Sequence, residues 1–275
     1  MPAAYRSIDH VMLRLVAAEP LFALLSETFQ LPVAWPLQRT DFATYGWVHV
    51  GNTDLELWAA AANTDLPPDT QPPLIHGFAL EPAESLQDSL AWMDEAGIQV
   101  KAPRAYRSRN PGGDLVTHFT NSVVSDLSGP SFCAFFCEWN RHATIYPWAE
   151  SETPADRRIA LRQELHERRG GPLGITGLQT VRLGTPDLKA HRRQWQALTG
   201  SQADQPIFIT PDIALELVPT RSVVIKSLSL GVRSLEVARK FLIQHELLQQ
   251  DTGTVLYMAL DGLQIQLKEM ASTAS

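Results

Sequence analysis

Four short apolar stretches of this chain each carry a side chain able to move a proton or bind a cation. SIDHVMLRL (7–15) holds His10 among Ile8, Val11, Met12, Leu13 and Leu15, and TDLELW (53–58) holds Glu56. LIHGFALEP (74–82) holds His76, and SFCAFFCEW (131–139) holds Glu138. All four read as β-strands, on which alternate residues share a face. Counting by two sets Ile8, His10, Met12 and Arg14 against Val11, Leu13 and Leu15, and sets Asp54, Glu56 and Trp58 against Leu55 and Leu57. In the last strand Cys133, Phe135 and Cys137 oppose Ala134, Phe136 and Glu138. Imidazoles and carboxylates are ordinary ligands of a divalent cation, and a carboxylate held loosely beside such a cation can move a proton. The plainer alternative is a hydrogen-bonded core histidine with glutamates solvated at strand ends.

Residues on separate strands meet only if the fold brings them together. After the first strand, Leu21, Leu24, Leu25 and Phe29 recur at helical spacing, with Pro20 near the helix start and Pro32 past its end. ATYGWVHV and TDLELW then flank Gly51-Asn52, a turn dipeptide that predicts paired strands. The order returns from residue 74: a strand, a helix whose apolar face is Leu86, Leu90 and Met93 and which stops at Gly97, a loop PRAYRSRNPGGD, and two strands. A third copy starts at ITGLQTVRLGT and a fourth at VIKSLSLGV, closing with LQIQLKE. One such unit exposes a sheet face that it cannot bury alone, so four predict two pairs. The boundaries fall at 1–138 for the first pair, 139–174 for a connector with a mixed-charge helix around ADRRIALRQELHERR, and 175–275 for the second, shorter pair.

The repeat offers an internal control. Registering LQTVRL on HVMLRL through the shared Arg-Leu puts Leu178 opposite His10; the other strands put Glu216 opposite Glu56, Lys226 opposite His76 and Gln266 near Glu138. The second half therefore lacks the titratable set of the first.

Composition removes several classes of function. Of the 275 residues 44% are hydrophobic and 19% charged, enough apolar material for a large core. The net charge of −7 argues against a nucleic-acid partner. No run approaches the length of a membrane span and MPAAYRS has no signal-peptide pattern, so a cytoplasmic protein without a membrane partner is expected. Cys133 and Cys137, four residues apart on a strand, are expected as buried free thiols. Arg104, Arg107 and Arg109 read as a solvated loop, His118 as a surface histidine and the connector helix as a solvated mixed-charge face.

The strand-helix-strands repeat, and within it IDHVMLRL, a helix ending in FQLPVAWP and HVGNTDLEL, resembles the vicinal oxygen chelate superfamily of glyoxalase-like and extradiol-dioxygenase-like proteins. The resemblance implies an α+β fold of four βαβββ modules paired into two glyoxalase/bleomycin-resistance-like domains. It also implies that His10, Glu56, His76 and Glu138 are ligands of a divalent metal (Fe, Mn, Zn or Ni), with Glu138 as catalytic base and Trp47, Trp58, Phe78 and Phe136 lining a substrate pocket. The implied activity is a metal-dependent lyase or isomerase acting on a small oxygen-chelating molecule. The alternatives are an Fe(II) extradiol-type dioxygenase and a metal-free protein that binds small molecules in the manner of drug-resistance members. No nucleotide or coenzyme motif is present, and substrate and oligomeric state are not legible.

Overall fold

The structure is a computed structural model and describes residues 4–64, 66–109, 113–141, 152–202 and 205–270. The apolar alternation of the first half forms β1 (Tyr5–Arg14), β2 (Val33–Arg39), β3 (Ala43–His49), β4 (Asp54–Ala60), β5 (Leu74–Pro82), β6 (Arg104–Arg109), β7 (Leu115–Val123) and β8 (Cys133–Trp139). They make one mixed sheet in the order β2-β3-β4-β1-β5-β8-β7-β6. Between β1 and β2 the chain forms a short α1 (Glu19–Ala23) that runs into a π-helical turn at Leu24–Thr28; α2 (Leu86–Glu95) follows β5. Each module thus contributes half of the sheet, and the halves join where β1 runs antiparallel to β5. The stretch expected as a loop at 104–109 is instead the edge strand β6, which Arg107 helps to fasten by donating to Thr117 Oγ1.

The connector carries α3 (Pro154–Glu167), opened by Thr153, whose hydroxyl oxygen accepts from the Asp156 amide in a capping box. The second half follows with β9 (Ile175–Thr185), α4 (Leu188–Thr199), β10 (Ile207–Thr210), β11 (Ile213–Pro219), β12 (Val224–Val232), α5 (Leu235–Gln244), β13 (Gln250–Asp251), β14 (Val255–Leu260) and β15 (Leu263–Glu269). Its sheet runs β10-β11-β9-β12-β15-β14-β13. Among the described residues the third module has two strands after its helix rather than three. The architecture is α+β, with the four modules paired into two sheets of eight and seven strands.

One apolar core joins the two halves. Val11, Leu13, Phe78 and Phe136 of the first sheet belong to the same buried cluster as Leu228, Leu230 and Leu267 of the second and Leu25, Met93, Trp195 and Leu242 of the helices. Phe78 meets the Trp195 ring at 5.8 Å, and the Tyr5 hydroxyl donates to the Ile209 carbonyl across the halves. Phe78 and Phe136, expected to line a substrate pocket, are therefore core residues on the face away from His10.

Two bulges decide which side chains leave the core. Ile8 pairs with Leu80 and His10 with Ala79, so Asp9 is an extra residue on β1. Ile8 consequently joins Val11 and Leu13 in the core instead of sharing a face with His10. Leu13 pairs with Ile75 and Met12 with Gly77, so His76 is the extra residue on β5. Beside it the backbone is so close to β8 that a Cβ at Gly77 would lie 1.9 Å from the Cys133 carbonyl oxygen. Only glycine fits there.

Candidate functional site

The first sheet curls, and its inner face gathers side chains from β1, β3, β4 and β8. His10 is 4% exposed. Its Nδ1 hydrogen-bonds Asp9 Oδ2 at 2.9 Å, its Nε2 stands 3.5 Å from Glu56 Oε2, and its ring packs on Trp47 with centroids 4.5 Å apart. The register accounts for the approach of Glu56. β4 runs parallel to β1 with Met12 opposite Glu56 and His10 opposite Asp54, so the carboxylate reaches the imidazole along one face.

Asp9 reaches the same face because the bulge turns it there. Its Oδ2 also accepts from Trp139 Nε1 at 3.0 Å, and its Oδ1 accepts from Arg158 of α3 at 2.9 Å. Burial on its own would raise the Asp9 pKa, but the bond and charge of His10, the charge of Arg158 and the Trp139 bond outweigh it and hold it below the usual carboxylate range. An ionised Asp9 can only accept, so Nδ1 carries a proton and Nε2 faces Glu56. Burial tends to lower the His10 pKa, yet the Asp9 bond and the charges of Glu56, Asp9 and Asp54 leave it raised. Burial raises the Glu56 pKa against the opposing charge of His10. Asp9, His10 and Glu56 thus form a line of three titratable groups with opposed preferences, an arrangement suited to holding and passing a proton.

Around the Glu56 end the walls are aromatic. Tyr45 and Trp58 stack at 5.3 Å and Phe42 lies 5.8 Å from Trp58. Burial raises the Tyr45 pKa, and so do Tyr106 and Glu56. That Tyr106 of the edge strand β6 acts on Tyr45 of β3 reflects the curl of the sheet. The opposite end is covered by α3, which lays Leu161 among Ala34, Trp47, Trp35 and Trp139. The connector helix is therefore not a solvated face along its whole girth.

The structure brings together two of the expected ligands and separates the others. Glu138 lies on the far face of β8 with Phe136, where its Oε1 accepts from the Leu86 amide at 2.7 Å and caps α2. The second half supplies the reason. It repeats both bulges, with Gln179 the extra residue on β9 and Lys226 on β12. This register sets Thr180, not Leu178, opposite His10, and keeps Glu216, paired with Arg182, opposite Glu56. It also sets Glu269, not Gln266, opposite Glu138, and Glu269 Oε2 accepts from the Leu235 amide at the start of α5. A carboxylate at this position belongs to the module, not to a metal centre. Gln266 instead closes a bonded set with Ser229 and Ser227.

His76 is buried at its bulge, three residues along β5 from the partner of His10 and so about 10 Å away along the strand. Among the described residues no group of three or more His, Cys, Asp or Glu side chains is placed to hold a metal ion. His10 and Glu56 are two donors, and a three-ligand cation site does not fit the residues that converge. Trp47 and Trp58 stand on the inner face as expected. The expectation for His118 also meets a plain partner, the Ser108 hydroxyl.

Sequence reasoning missed Asp9, Arg158 and a second buried pair, His49 Nδ1 with Asp54 Oδ1 at 2.6 Å. Asp-His is visible as a dipeptide, but neighbours on a regular strand point to opposite faces and only the bulge lets them meet. Cys133 and Cys137 are free thiols, Cys137 buried as expected and Cys133 only partly so. Among the described residues no helix is long and apolar enough to cross a membrane.

No protein-family model matches the chain, and no curated protein matches it in sequence. Solved structures do resemble it. A hypothetical protein from Staphylococcus aureus superposes with a TM-score of 0.62 at 10% identity over 96% of this chain and 99% of that one. An extradiol ring-cleaving dioxygenase from B. fuscum gives 0.56 at 12% identity over 98% of this chain and 73% of that one. Homoprotocatechuate 2,3-dioxygenase from Arthrobacter globiformis gives 0.54 at 12% over 98% and 81%. Taken with the paired modules, these likenesses establish the vicinal oxygen chelate fold. Fold does not fix chemistry in so widely used a scaffold.

Proposed function

We propose that the inner face of the first sheet is the working site of a proton-transfer enzyme, of lyase or isomerase type, acting on a small oxygen-bearing organic molecule. The observation that carries this reading is the Asp9-His10-Glu56 line, buried, built from two strands and replaced in the second half by Gln179, Thr180 and an exposed Glu216-Arg182 pair. Glu56, at the aromatic end, is the group that would take a proton from bound substrate or return it. His10 Nε2, which faces Glu56, can accept that proton from it, and Asp9 holds the imidazole in the required tautomer and balances the charge that then forms on the ring.

The metal-dependent version and the dioxygenase version both need more donors than meet here. A two-histidine, one-carboxylate face requires a second imidazole beside His10, and neither His76 nor Glu138 is placed beside it. The test is a panel of small carbonyl compounds with an acidic C–H, incubated with the protein in deuterium oxide and followed by NMR. Deuterium incorporation by the wild type and its loss in both E56Q and H10Q support the reading; incorporation that survives both substitutions overturns it. A second reading, a binding protein without turnover, is favoured by the stacked Tyr45-Trp58 wall. Compounds that shift the Trp58 indole signal without exchanging deuterium would establish it instead.

A further inference from the structure

We propose that Arg158, on the connector helix, is a positioning residue of this site, acting through Asp9 to keep the His10 imidazole in its working tautomer. This rests on reading the inner face as a proton-handling site.

The connector is tied to the first sheet at several points. Arg157 donates to the Val33 carbonyl, Arg162 to that of Gly51 and Arg168 to that of Gln30. Towards the sheet those three bind backbone and seat the helix, and the carboxylates beside Arg157 and Arg168, Glu152 and Glu164, belong to the connector itself. Arg158 differs in kind, because it binds two carboxylates. One guanidinium nitrogen donates to Asp9 Oδ1 at 2.9 Å and another to Glu81 Oε1 at 2.6 Å. Glu81 is fixed from its other oxygen by the Ser7 hydroxyl at 2.7 Å. The Arg158 side chain is 18% exposed and that of Asp9 4%, so little water screens the pair.

The charge on Asp9 depends on the groups that face it. Its Oδ2 is shared by His10 and Trp139, its backbone carbonyl accepts from Thr53 Oγ1, and Glu56, Asp54 and Glu81 add negative charge nearby. Arg158 is the cation bonded to Asp9 itself, since Trp139 and Thr53 supply bonds without charge, while Arg6 stands 3.8 Å from Glu81 Oε1 and Arg14 acts on Glu56. An uncompensated buried carboxylate either takes up a proton itself or raises the proton affinity of the base beside it. If Asp9 becomes protonated it no longer demands a proton on Nδ1; if instead it stays ionised, its uncompensated charge favours uptake of a second proton from solvent at Nε2, and His10 becomes imidazolium. Either way the neutral Nδ1–H form that aims Nε2 at Glu56 is lost. The equivalent place in the second half has Gln179, which is neutral and needs no such cation.

The test uses the full chain labelled with ¹⁵N-histidine, whose imidazole signals report tautomer and charge directly. Near neutrality the wild type and R158K should share one His10 signature, while R158M departs from it with near-ultraviolet circular dichroism unchanged. I159A, on the exposed side of the same helix, controls for general loosening and should leave the signature in place. Should R158M fail to fold, R158Q retains a hydrogen-bond donor without the charge and is expected to show the same departure. A His10 signature identical in folded R158M or R158Q and wild type overturns the proposal. The readout needs no ligand, so an unproductive carbonyl panel would count against the function and leave this result standing.

Discussion

Replacing Glu138 with alanine separates a helix cap from a catalytic base. The carboxylate accepts from the first amide of α2 at 2.7 Å, beside the positive end of the helix, while Ser85 caps the Asp88 amide independently at 3.1 Å. Losing one charged acceptor with the second cap intact should cost about 1–2 kcal/mol. In a chain of this size that lowers the melting temperature by about 2–4 °C. E269A removes the matching bond to Leu235, which is longer at 3.3 Å, and should cost about 1 kcal/mol or less. Thermal denaturation of the two variants gives the stability terms, and deuterium exchange on a responsive carbonyl compound gives the catalytic one. A capping role requires E138A to lose stability and keep exchange. Abolished exchange at unchanged stability would refute the assignment of Glu138 to the module.

Stability should also report on the buried site. Asp9 titrates below its unfolded value, so its contribution is present above the ordinary aspartate pKa of about 3.9 and is lost as pH falls through the depressed value. His10 titrates above its unfolded value, so its contribution is complete below about 6.5 and is lost as pH rises through the raised value. Urea midpoints should therefore be highest between these limits, and D9N should shrink the decline on the alkaline side that belongs to His10, the charges of Glu56 and Asp54 remaining; an unaltered profile in D9N would contradict the pairing. Gly77 tolerates no side chain, and Gly77→Ala should cost about 3 kcal/mol or more in urea denaturation because the clash is with backbone. Trimming Leu161, 1% exposed between α3 and Trp47, should cost about 2–4 kcal/mol as L161A and shift tryptophan emission to the red; a smaller loss with unshifted emission would mean that α3 does not cover the cleft.

The repeat was legible because each module carries its own periodicity and punctuation: Leu21, Leu25 and Phe29 at helical spacing, Gly51-Asn52 between strands, Gly97 after a helix. His10 and Glu56 were legible for the same reason, as polar residues counted by two along apolar strands. The count failed at Ile8, where one inserted residue reverses the face, and the same insertion concealed Asp9. Bulges leave no reliable trace in a single sequence, since Asp9 looks like any polar strand residue. Glu138 misled because a carboxylate ending a strand serves ligation and capping equally well, and only the placement of α2 over β8 decides between them. Phe78 and Phe136 misled through a general property of sheets with two covered faces, on which an aromatic residue fits either side. Arg158 could not be read at all, for nothing in ADRRIALRQELHERR says which of its arginines will meet a buried carboxylate 149 positions away.

The claim on which the function depends is that proton transfer in the first sheet belongs to Glu56 and His10 without a resident cation. Deuterium incorporation into a responsive compound, measured before and after exhaustive chelation and again in E56Q, tests it most directly. The expected result is an unchanged rate in the chelated wild type and a fall of about a hundredfold or more in E56Q. A rate abolished by chelation and restored by an added divalent metal would contradict it.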